Sequence, residues 1–271
     1  MIKSMSTVHE LLSKADNISL LDSQLILGSV LGCSRTWIIA HHNDVVCEKI
    51  QKNFLSKLKR RMGGEPIAYI LGYREFWSQN FLVDRNTLIP RPETECMVEI
   101  ALEQLPNTPT TVLDLGTGCG AIGITLATER GNWHIIANDI SGSALKVAQR
   151  NAFNTKNIAF FRGNWCEAIR PGSINLIVCN PPYIERNDNH LNHLEYEPLS
   201  ALVSPDRGLY DLRQVIKESR SLLVKDGLLI LEHGYLQRDK VYQLLHNHGY
   251  INIEMFDDLS GKPRIALARF R

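Results

Sequence analysis

The chain has 271 residues, of which 44% are hydrophobic and 22% charged, as expected for a globular protein that is long enough for two domains. Its formal net charge of +1 provides no global field to attract nucleic acid or an anionic membrane, although a local patch could still bind one. The six cysteines show no CxxC pair and no His-linked metal spacing, and no signal-peptide core or membrane span is present, so we expect a cytoplasmic protein that binds no metal.

The first 72 residues show helical periodicity and few strand signals. Their apolar positions and capping residues predict four helices, over residues 8–15, 22–31, 34–39 and 45–62. No catalytic chemistry is visible in this helical domain, so we assign residues 1–72 to substrate recognition or scaffolding. The basic run Lys57–Arg61 has the pattern of a solvated helix face, with contact to nucleic acid as the alternative.

A connector is predicted after the helical domain. It includes Glu65–Gly72 and the run that follows, and residues 73–92 are expected to contain a β-hairpin with its turn at Ser78–Asn80. The connector ends in Ile89-Pro90-Arg91-Pro92-Glu93-Thr94-Glu95, where Pro92 suits the first position of a helix and the acids favour its positive first turn. This explanation does not cover Arg91, which remains a candidate for a contact with a cofactor or a lid.

From Thr110 onward, strands alternate with helices. Strands are predicted over 111–115, 135–137, 158–161, 174–179, 228–231, 251–256 and 265–270, and helices from 121, from 143, over 209–223 and over 236–246. This alternation implies right-handed crossovers, so residues 93–271 are predicted to form an α/β domain with a Rossmann-like, mostly parallel sheet and an antiparallel last strand. The polar stretch 185–207 is too long for a plain connection and is predicted to be a functional loop.

A glycine-rich loop follows the first of these strands. Thr111–Leu115 leads into Gly116-Thr117-Gly118-Cys119-Gly120 and then a helix, and the glycines allow backbone N–H groups to approach a ligand closely. Asp139 ends the next strand, where a carboxylate can accept both ribose hydroxyls of an adenosine. This arrangement is compatible with a dinucleotide or with S-adenosylmethionine.

Three details favour S-adenosylmethionine. Asp114 places a carboxylate beside the loop, which suits an ammonium and a sulfonium better than a pyrophosphate. Asn164 offers a polar contact and Trp165 an indole to stack on adenine, and no second nucleotide-binding half follows. We therefore expect the cofactor, and its product S-adenosylhomocysteine, to be bound by Asp114, Gly116, Thr117, Gly118, Cys119, Gly120, Asp139, Asn164, Trp165 and Asn180.

The apolar strand Ile174–Cys179 ends in Asn180-Pro181-Pro182-Tyr183. Two prolines cannot continue a ladder and restrict the backbone, so they form a rigid platform at the carboxyl end of a strand. The platform carries a side-chain amide, two proline carbonyls and an aromatic ring, which together can hold a planar group that bears an NH2. A turn with a packed tyrosine is the simpler alternative for this motif on its own.

In these motifs the chain resembles the peptide chain release factor glutamine N5-methyltransferases. The resemblance covers nearly the whole chain and rests on GEPIAYILGYREFW, LIPRPETE, DLGTGCGAIG, NPPYI, YEPLSALVSPDRGLYDL, LLILEHG and KPRIALARF. It implies methylation of the glutamine in the Gly-Gly-Gln motif of bacterial class-one release factors. One departure is Asn164, where the family often has an acidic residue that faces the adenine amino group, so we expect a weaker cofactor contact there.

The resemblance leads to a hypothesis for the chemistry. The Asn180 side-chain oxygen and the Pro181 carbonyl would accept the two N–H bonds of the glutamine amide, and Tyr183 would pack on the amide plane, with Pro182 completing the substrate site. We expect no metal, no covalent nucleophile and no dedicated base, since His190 and His193 have the pattern of surface loop residues.

Three alternatives remain open at this point. The NPPY motif is shared with adenine-N6 methyltransferases that act on RNA or DNA, although the near-neutral charge and the lack of a basic aromatic stripe count against a nucleic-acid substrate. A glutamine methyltransferase that acts on a ribosomal protein is the second alternative. A non-catalytic adenosine-binding module is the third, and the combination of glycine loop, Asp139 and NPPY counts against it.

Overall fold

The computed structural model describes residues 6–15 and 17–271, and the chain divides into two compact units between Tyr73 and Arg74. The first unit contains the helices α1 (Val8–Leu12), α2 (Leu20–Leu31), α3 (Arg35–Ala40), α4 (Glu48–Met62) and α5 (Ile67–Leu71). Their apolar faces meet in a core in which the fully buried side chains include Val8, Leu11, Ile26, Leu27, Ile38 and Phe54. This unit therefore has a hydrophobic core of its own, and each such buried side chain contributes about 1.5–3 kcal/mol to its stability.

Local signals set most helix boundaries in this unit. The side-chain oxygens of Thr7, Ser19 and Ser34 each accept a backbone N–H three residues further on, and so cap α1, α2 and α3. α4 begins at Glu48 rather than at residue 45, because Val45 pairs with Thr7 in an isolated β-bridge. The capping signals were readable in the sequence, whereas the bridge, which joins residues far apart, was not.

The segment Glu65–Gly72, which was expected to belong to a connector, contains the short helix α5 (Ile67–Leu71). Five residues are too few to display a helical period, so the sequence did not indicate this helix. The hairpin is confirmed, with strands β1 (Tyr73–Phe76) and β2 (Gln79–Leu82), but its turn is not at Ser78–Asn80. The turn consists of Trp77 and Ser78, both with positive φ. Turns of this kind usually contain Asn or Gly, so this sequence did not indicate its position.

In the second unit, helices alternate with the strands of one sheet. The helices are α6 (Glu95–Gln104), α7 (Ala121–Glu129), α8 (Gly142–Asn151), the single turn α9 (Pro205–Gly208), α10 (Tyr210–Leu222) and α11 (Arg238–Asn247). Short 3-10 turns cover Pro92–Thr94, Asn189–His193 and Leu199–Ala201, the last two within the predicted loop 185–207. Within the described ranges, no helix is long and apolar enough to cross a membrane.

The sheet has seven strands in the order β5-β4-β3-β6-β7-β9-β8. They are β3 (Thr110–Leu115), β4 (Trp133–Asp139), β5 (Ile158–Arg162), β6 (Ile174–Cys179), β7 (Leu223–Glu232), β8 (Tyr250–Asp257) and β9 (Pro263–Phe270). Strands β3 to β7 are parallel and β9 is antiparallel to both of its neighbours, which confirms the predicted fold class. The central strands β3 and β6 are buried on both faces, as their continuous apolar runs predicted.

Candidate active site

Four segments of the site lie at one edge of the sheet because neighbouring parallel strands end at the same level. Leu115 of β3 is paired with Asn138 of β4 and with Cys179 of β6, and Cys179 is paired with Leu231 of β7. The strand order reverses between β3 and β6, which is where open α/β sheets form a binding crevice. The residues that come next along these four strands are Gly116, Asp139, Asn180 and Glu232.

The predicted glycine loop is a tight turn between β3 and α7. Gly116, Gly118 and Gly120 all have positive φ, a region that other residues rarely adopt. A Cβ on Gly116 would lie 3.3 Å from the Trp165 ring, and a Cβ on Gly120 would lie 2.5 Å from the Ile124 side chain. The positive φ favours glycine at both positions, and an added Cβ would also press on the Trp165 ring or on the Ile124 side chain.

Asp114 lies beneath the glycine loop. Its Oδ2 accepts hydrogen bonds from the Thr117 hydroxyl at 2.6 Å and from the Gly123 amide at 2.9 Å. Burial raises the pKa of this carboxyl to about 6, although both hydrogen bonds favour the charged form. These two contacts tie the carboxyl end of β3 to the glycine loop and to the first turn of α7.

Asp139 holds the same loop from the other side. Its Oδ2 accepts the Gly118 amide at 2.9 Å and its Oδ1 accepts the Ser141 amide at 2.8 Å. Burial raises the pKa of this carboxyl, and the two backbone hydrogen bonds oppose that rise. Each carboxylate oxygen has a further lone pair, so Asp139 can still accept a hydrogen bond from a ligand hydroxyl.

Asn138 is a structural residue of the site that sequence reasoning missed. It is 1% exposed, its Nδ2 donates to the Trp165 carbonyl at 2.6 Å, and its backbone carbonyl accepts the Thr117 amide at 2.8 Å. These contacts connect the glycine loop to the segment after β5 and fix Trp165, whose φ is positive, in its place. An amide side chain near the end of an otherwise apolar strand was the available signal.

A first cavity of about 360 Å³ lies against the loop, within the size range of small-molecule sites. Of the residues expected to bind a cofactor, those that line it are Gly116, Gly118, Asp139, Asn164, Trp165 and Asn180. The expected contacts Asp114, Thr117, Cys119 and Gly120 are not among its lining residues. Burial raises the pKa of the Cys119 thiol to about 12, so this cysteine remains a neutral thiol.

A second, larger cavity of about 640 Å³ lies on the other side of the NPPY platform. Pro181 and Tyr183 line the second cavity, Pro182 lines the first, and Asn180 lines both. The platform is therefore the wall between two cavities, and Asn180 is part of the lining of each. Leu88 and Ala201 also line both cavities.

The second cavity has charges of both signs on its wall. Its cationic residues are Arg91, Arg207, Lys240, Lys262 and Arg264. Its acidic residues are Glu185, Asp188 and Glu232. Apolar side chains such as Tyr235 and Leu236 lie between them. Such a mixed lining suits a polypeptide segment better than a uniformly anionic chain.

Arg91, which the sequence left without an explanation, contacts the loop 185–207. Its Nη2 donates to Oε1 of the buried Glu197 at 2.5 Å, and Oε2 of Glu197 accepts the Ile89 amide at 2.9 Å. One buried carboxylate therefore ties the segment before α6 to the predicted functional loop. Arg91 also lines the second cavity.

The NPPY platform is fixed by two polar residues that sequence reasoning also missed. The Tyr183 hydroxyl donates to Oε1 of Glu232 at 3.0 Å, and the Tyr183 carbonyl accepts the Gln237 side-chain amide at 3.1 Å. Burial raises the pKa values of both Tyr183 and Glu232. Gly208 packs so closely that a Cβ on it would lie 2.0 Å from the Tyr183 carbonyl oxygen.

His190 and His193 are both exposed, in agreement with their prediction as surface residues. His190 Nδ1 lies 2.7 Å from the Asp188 carboxylate. Among the residues that the structure describes, no group of three or more His, Cys, Asp or Glu side chains could hold a metal ion.

Comparison with known proteins gives consistent matches over both units. Residues 6–72 match the PrmC N-terminal domain and residues 95–196 match the Methyltransferase small domain. The chain is 44% identical over 252 residues to the release factor glutamine methyltransferase of Coxiella burnetii, covering 92% of this chain and 91% of that protein. It is 42% identical over 253 residues to the protein of the same name from Escherichia coli, with 92% and 91% coverage.

Solved structures support the fold. A methyltransferase from Pyrococcus furiosus is similar with a TM-score of 0.55 and 16% sequence identity, over 79% of this chain and 98% of that chain. At this identity the likeness concerns the fold alone.

The close approach of Gly208 to the platform yields a stability prediction. Gly208→Ala should lower the free energy of unfolding by about 2–5 kcal/mol, because a positive φ costs an L-residue about 1–2 kcal/mol and the forced backbone shift costs about 1–3 kcal/mol. Gly261 also has a positive φ but open space around it, so Gly261→Ala should lose only the conformational cost of about 1–2 kcal/mol. Gly131→Ala has neither feature and should be near neutral. Denaturant unfolding measures all three, and equal losses for Gly208→Ala and Gly261→Ala would contradict the packing argument.

Proposed function

The chain belongs to the release factor glutamine methyltransferases, and on this premise we propose that it transfers a methyl group from S-adenosylmethionine to the side-chain amide nitrogen of a release-factor glutamine. The glutamine is that of the Gly-Gly-Gln motif in class-one release factors, and the other product is S-adenosylhomocysteine. The reaction acts on translation termination, the step that release factors carry out.

The observation that carries this proposal is the position of Asn180 between two cavities. The first cavity is small and is lined by the glycine loop, Asp139 and Trp165. The second is large enough for a polypeptide segment and is lined by Pro181 and Tyr183. Because Asn180 lines both, a group that enters from the second cavity can reach a ligand in the first at this side chain.

The first cavity fits S-adenosylmethionine. Asp139 would accept the ribose hydroxyls, the Trp165 ring would cover the adenine, and Gly116 keeps the space beneath that ring free of a side chain. The Asn164 amide donates to Glu167, which leaves its carbonyl oxygen to accept the adenine amino group. When bound, S-adenosylmethionine supplies an electrophilic methyl group on a sulfonium.

The platform makes an amide nitrogen reactive by aiming it. An amide nitrogen is a poor nucleophile because its lone pair is delocalised into the carbonyl. The Asn180 Oδ1 and the Pro181 carbonyl accept its two N–H bonds, which fixes the direction of the nitrogen and stabilises the positive charge that develops there. Tyr183 covers the amide plane, and the proton lost from nitrogen passes to water in the open second cavity.

The helical unit, residues 1–72 of the sequence prediction, is proposed to recognise the folded release factor. Its separate hydrophobic core supports a role as an independent module, as does the separate match of residues 6–72. The names of the relatives favour a release factor over a ribosomal protein. The net charge of +1 gives no global attraction for nucleic acid, and the second cavity carries three acidic residues beside its five cationic ones, a mixture that suits a polypeptide better than a uniformly anionic chain.

Asn180→Ala tests the function directly. It removes one preorganised acceptor and leaves the sheet and the prolines in place, so the turnover number on release factor should fall by roughly two orders of magnitude or more. Transfer of a labelled methyl group is measured on release factor, on the same factor with its Gly-Gly-Gln glutamine replaced, and on adenine-containing RNA and DNA. We expect labelling of the first alone. Labelled nucleic acid that disappears with Asn180→Ala would overturn the proposed substrate.

Asp139→Ala should weaken the binding of S-adenosylhomocysteine by roughly 1.5–3 kcal/mol, because it removes a charged acceptor for two hydroxyls. Calorimetry gives the affinity. The same substitution releases the Gly118 amide, so the unfolding temperature without ligand serves as the control for a loosened loop. An unchanged affinity would reject the proposed position of the ribose.

A variant that begins at Tyr73, where β1 starts, should bind S-adenosylhomocysteine with near-normal affinity but lose methylation of the intact release factor. A short Gly-Gly-Gln peptide at high concentration is the control, because it needs the catalytic unit alone and should be methylated by both proteins. Equal rates of the truncated and full-length proteins on intact release factor would refute the recognition role of the helical unit.

A further inference from the structure

We propose that Thr94 and Glu232 are positioning residues that hold the Asn180 amide in the one orientation in which its oxygen faces the substrate. The proposal deepens the proposed function and rests on it. It assigns a role to the Pro-Glu-Thr-Glu run after Arg91, for which neither the cofactor nor the substrate cavity gives an explanation.

The contacts form a chain from a buried carboxylate to the reactive platform. Asn180 Nδ2 lies 3.4 Å from Thr94 Oγ1, and Thr94 Oγ1 lies 2.6 Å from Oε2 of Glu232. Both supporting residues are buried, with Thr94 4% and Glu232 2% exposed. Thr94 ends the 3-10 turn before α6 and Glu232 ends β7, so two separate elements meet at Asn180.

The donor and acceptor groups determine the direction of each hydrogen bond in this series. A carboxylate can only accept hydrogen bonds, and a threonine hydroxyl has a single proton to donate. Because the short contact to Glu232 uses that proton, the oxygen of Thr94 can act toward Asn180 only as an acceptor. The group of Asn180 that faces Thr94 is therefore its NH2, and its Oδ1 is left for another partner.

Two opposing influences act on the Glu232 carboxyl. Burial, the largest of them, raises its pKa, and the Glu93 charge acts in the same direction. Hydrogen bonds from Thr94 and from the Tyr183 hydroxyl, together with the Arg264 guanidinium, favour the charged form. With both oxygens of Glu232 occupied, one carboxylate fixes two groups of the platform: the Tyr183 ring directly and the Asn180 amide through Thr94.

The orientation matters because the two ends of an amide are opposite in hydrogen-bonding character. An Asn180 oxygen toward the substrate accepts an N–H of the glutamine amide and supports charge on nitrogen. If the Asn180 NH2 lay in the same place, it would face the NH2 of the glutamine, and two donors cannot form a hydrogen bond with each other. Rotation of the Asn180 amide would therefore remove the hydrogen bond that orients the glutamine nitrogen, without moving the backbone of the platform.

Thr94→Val tests the proposal because it keeps the shape of the side chain and removes only the hydroxyl. The turnover number on release factor should fall about fivefold to thirtyfold, the effect of losing one buried hydrogen bond, while the affinity for S-adenosylhomocysteine and the KM for release factor stay close to wild type. Thr94→Ser restores the hydroxyl and should restore the turnover number. The unfolding temperature of each variant shows whether the fold is retained.

The double variant Thr94→Val with Asn180→Ala separates positioning from general damage. If Thr94 acts through Asn180, adding Thr94→Val to Asn180→Ala should lower the turnover number no further than Asn180→Ala alone. If the two residues act independently, the two losses should multiply. Glu232→Gln replaces one acceptor by a donor and should lose at least as much turnover as Thr94→Val, because Glu232 also accepts the Tyr183 hydroxyl. A turnover number unchanged by Thr94→Val, or multiplying losses in the double variant, would overturn the proposal while the wild-type enzyme still methylates release factor. Absence of transfer by the wild-type enzyme would overturn the proposed function and this inference together.

Discussion

The register between β3 and β6 is the constraint on which the rest of the site depends. Leu115 is paired with Cys179, so the glycine loop and the NPPY platform begin next to each other at the carboxyl edge of the sheet. Both strands are buried on both faces, and a shift by one residue would exchange the side chains that pack on each face and disrupt the close-packed core. Close packing of the core thereby fixes the distance between the glycine loop and the NPPY platform, which are about 60 residues apart in sequence.

Around this edge, carboxylates with little or no exposure organise the loops. Each accepts two hydrogen bonds from the segments that it holds, and the four residues are Asp114, Asp139, Glu197 and Glu232. Burial of a charge is costly unless such bonds compensate it, so these contacts are strongly specified. The result is a site in which the reactive platform is rigid before any ligand binds, as catalysis by preorganised dipoles requires.

Much of this could be read from the sequence, and the limits have physical reasons. The alternation of apolar runs and helices predicts the sheet, and the residue types in the glycine loop and in NPPY predict the chemistry of the edge. The contacts of Thr94 with Glu232 and of Ile89 with Glu197 join residues 138 and 108 positions apart, and no local pattern marks such pairs. The hydrogen bonds of Asp114 with Thr117 and Gly123 likewise depend on how the loop folds back on β3, which the sequence around a strand-end acid does not show.

A crystal structure of the protein with S-adenosylhomocysteine and a Gly-Gly-Gln-containing release factor tests the central claim most directly. The account predicts adenosine against Asp139 and Trp165, and the glutamine side chain entering from the second cavity with its amide nitrogen within hydrogen-bonding distance of the Asn180 oxygen. A glutamine bound away from Asn180, or one whose carbonyl oxygen rather than its nitrogen faces the first cavity, would contradict it.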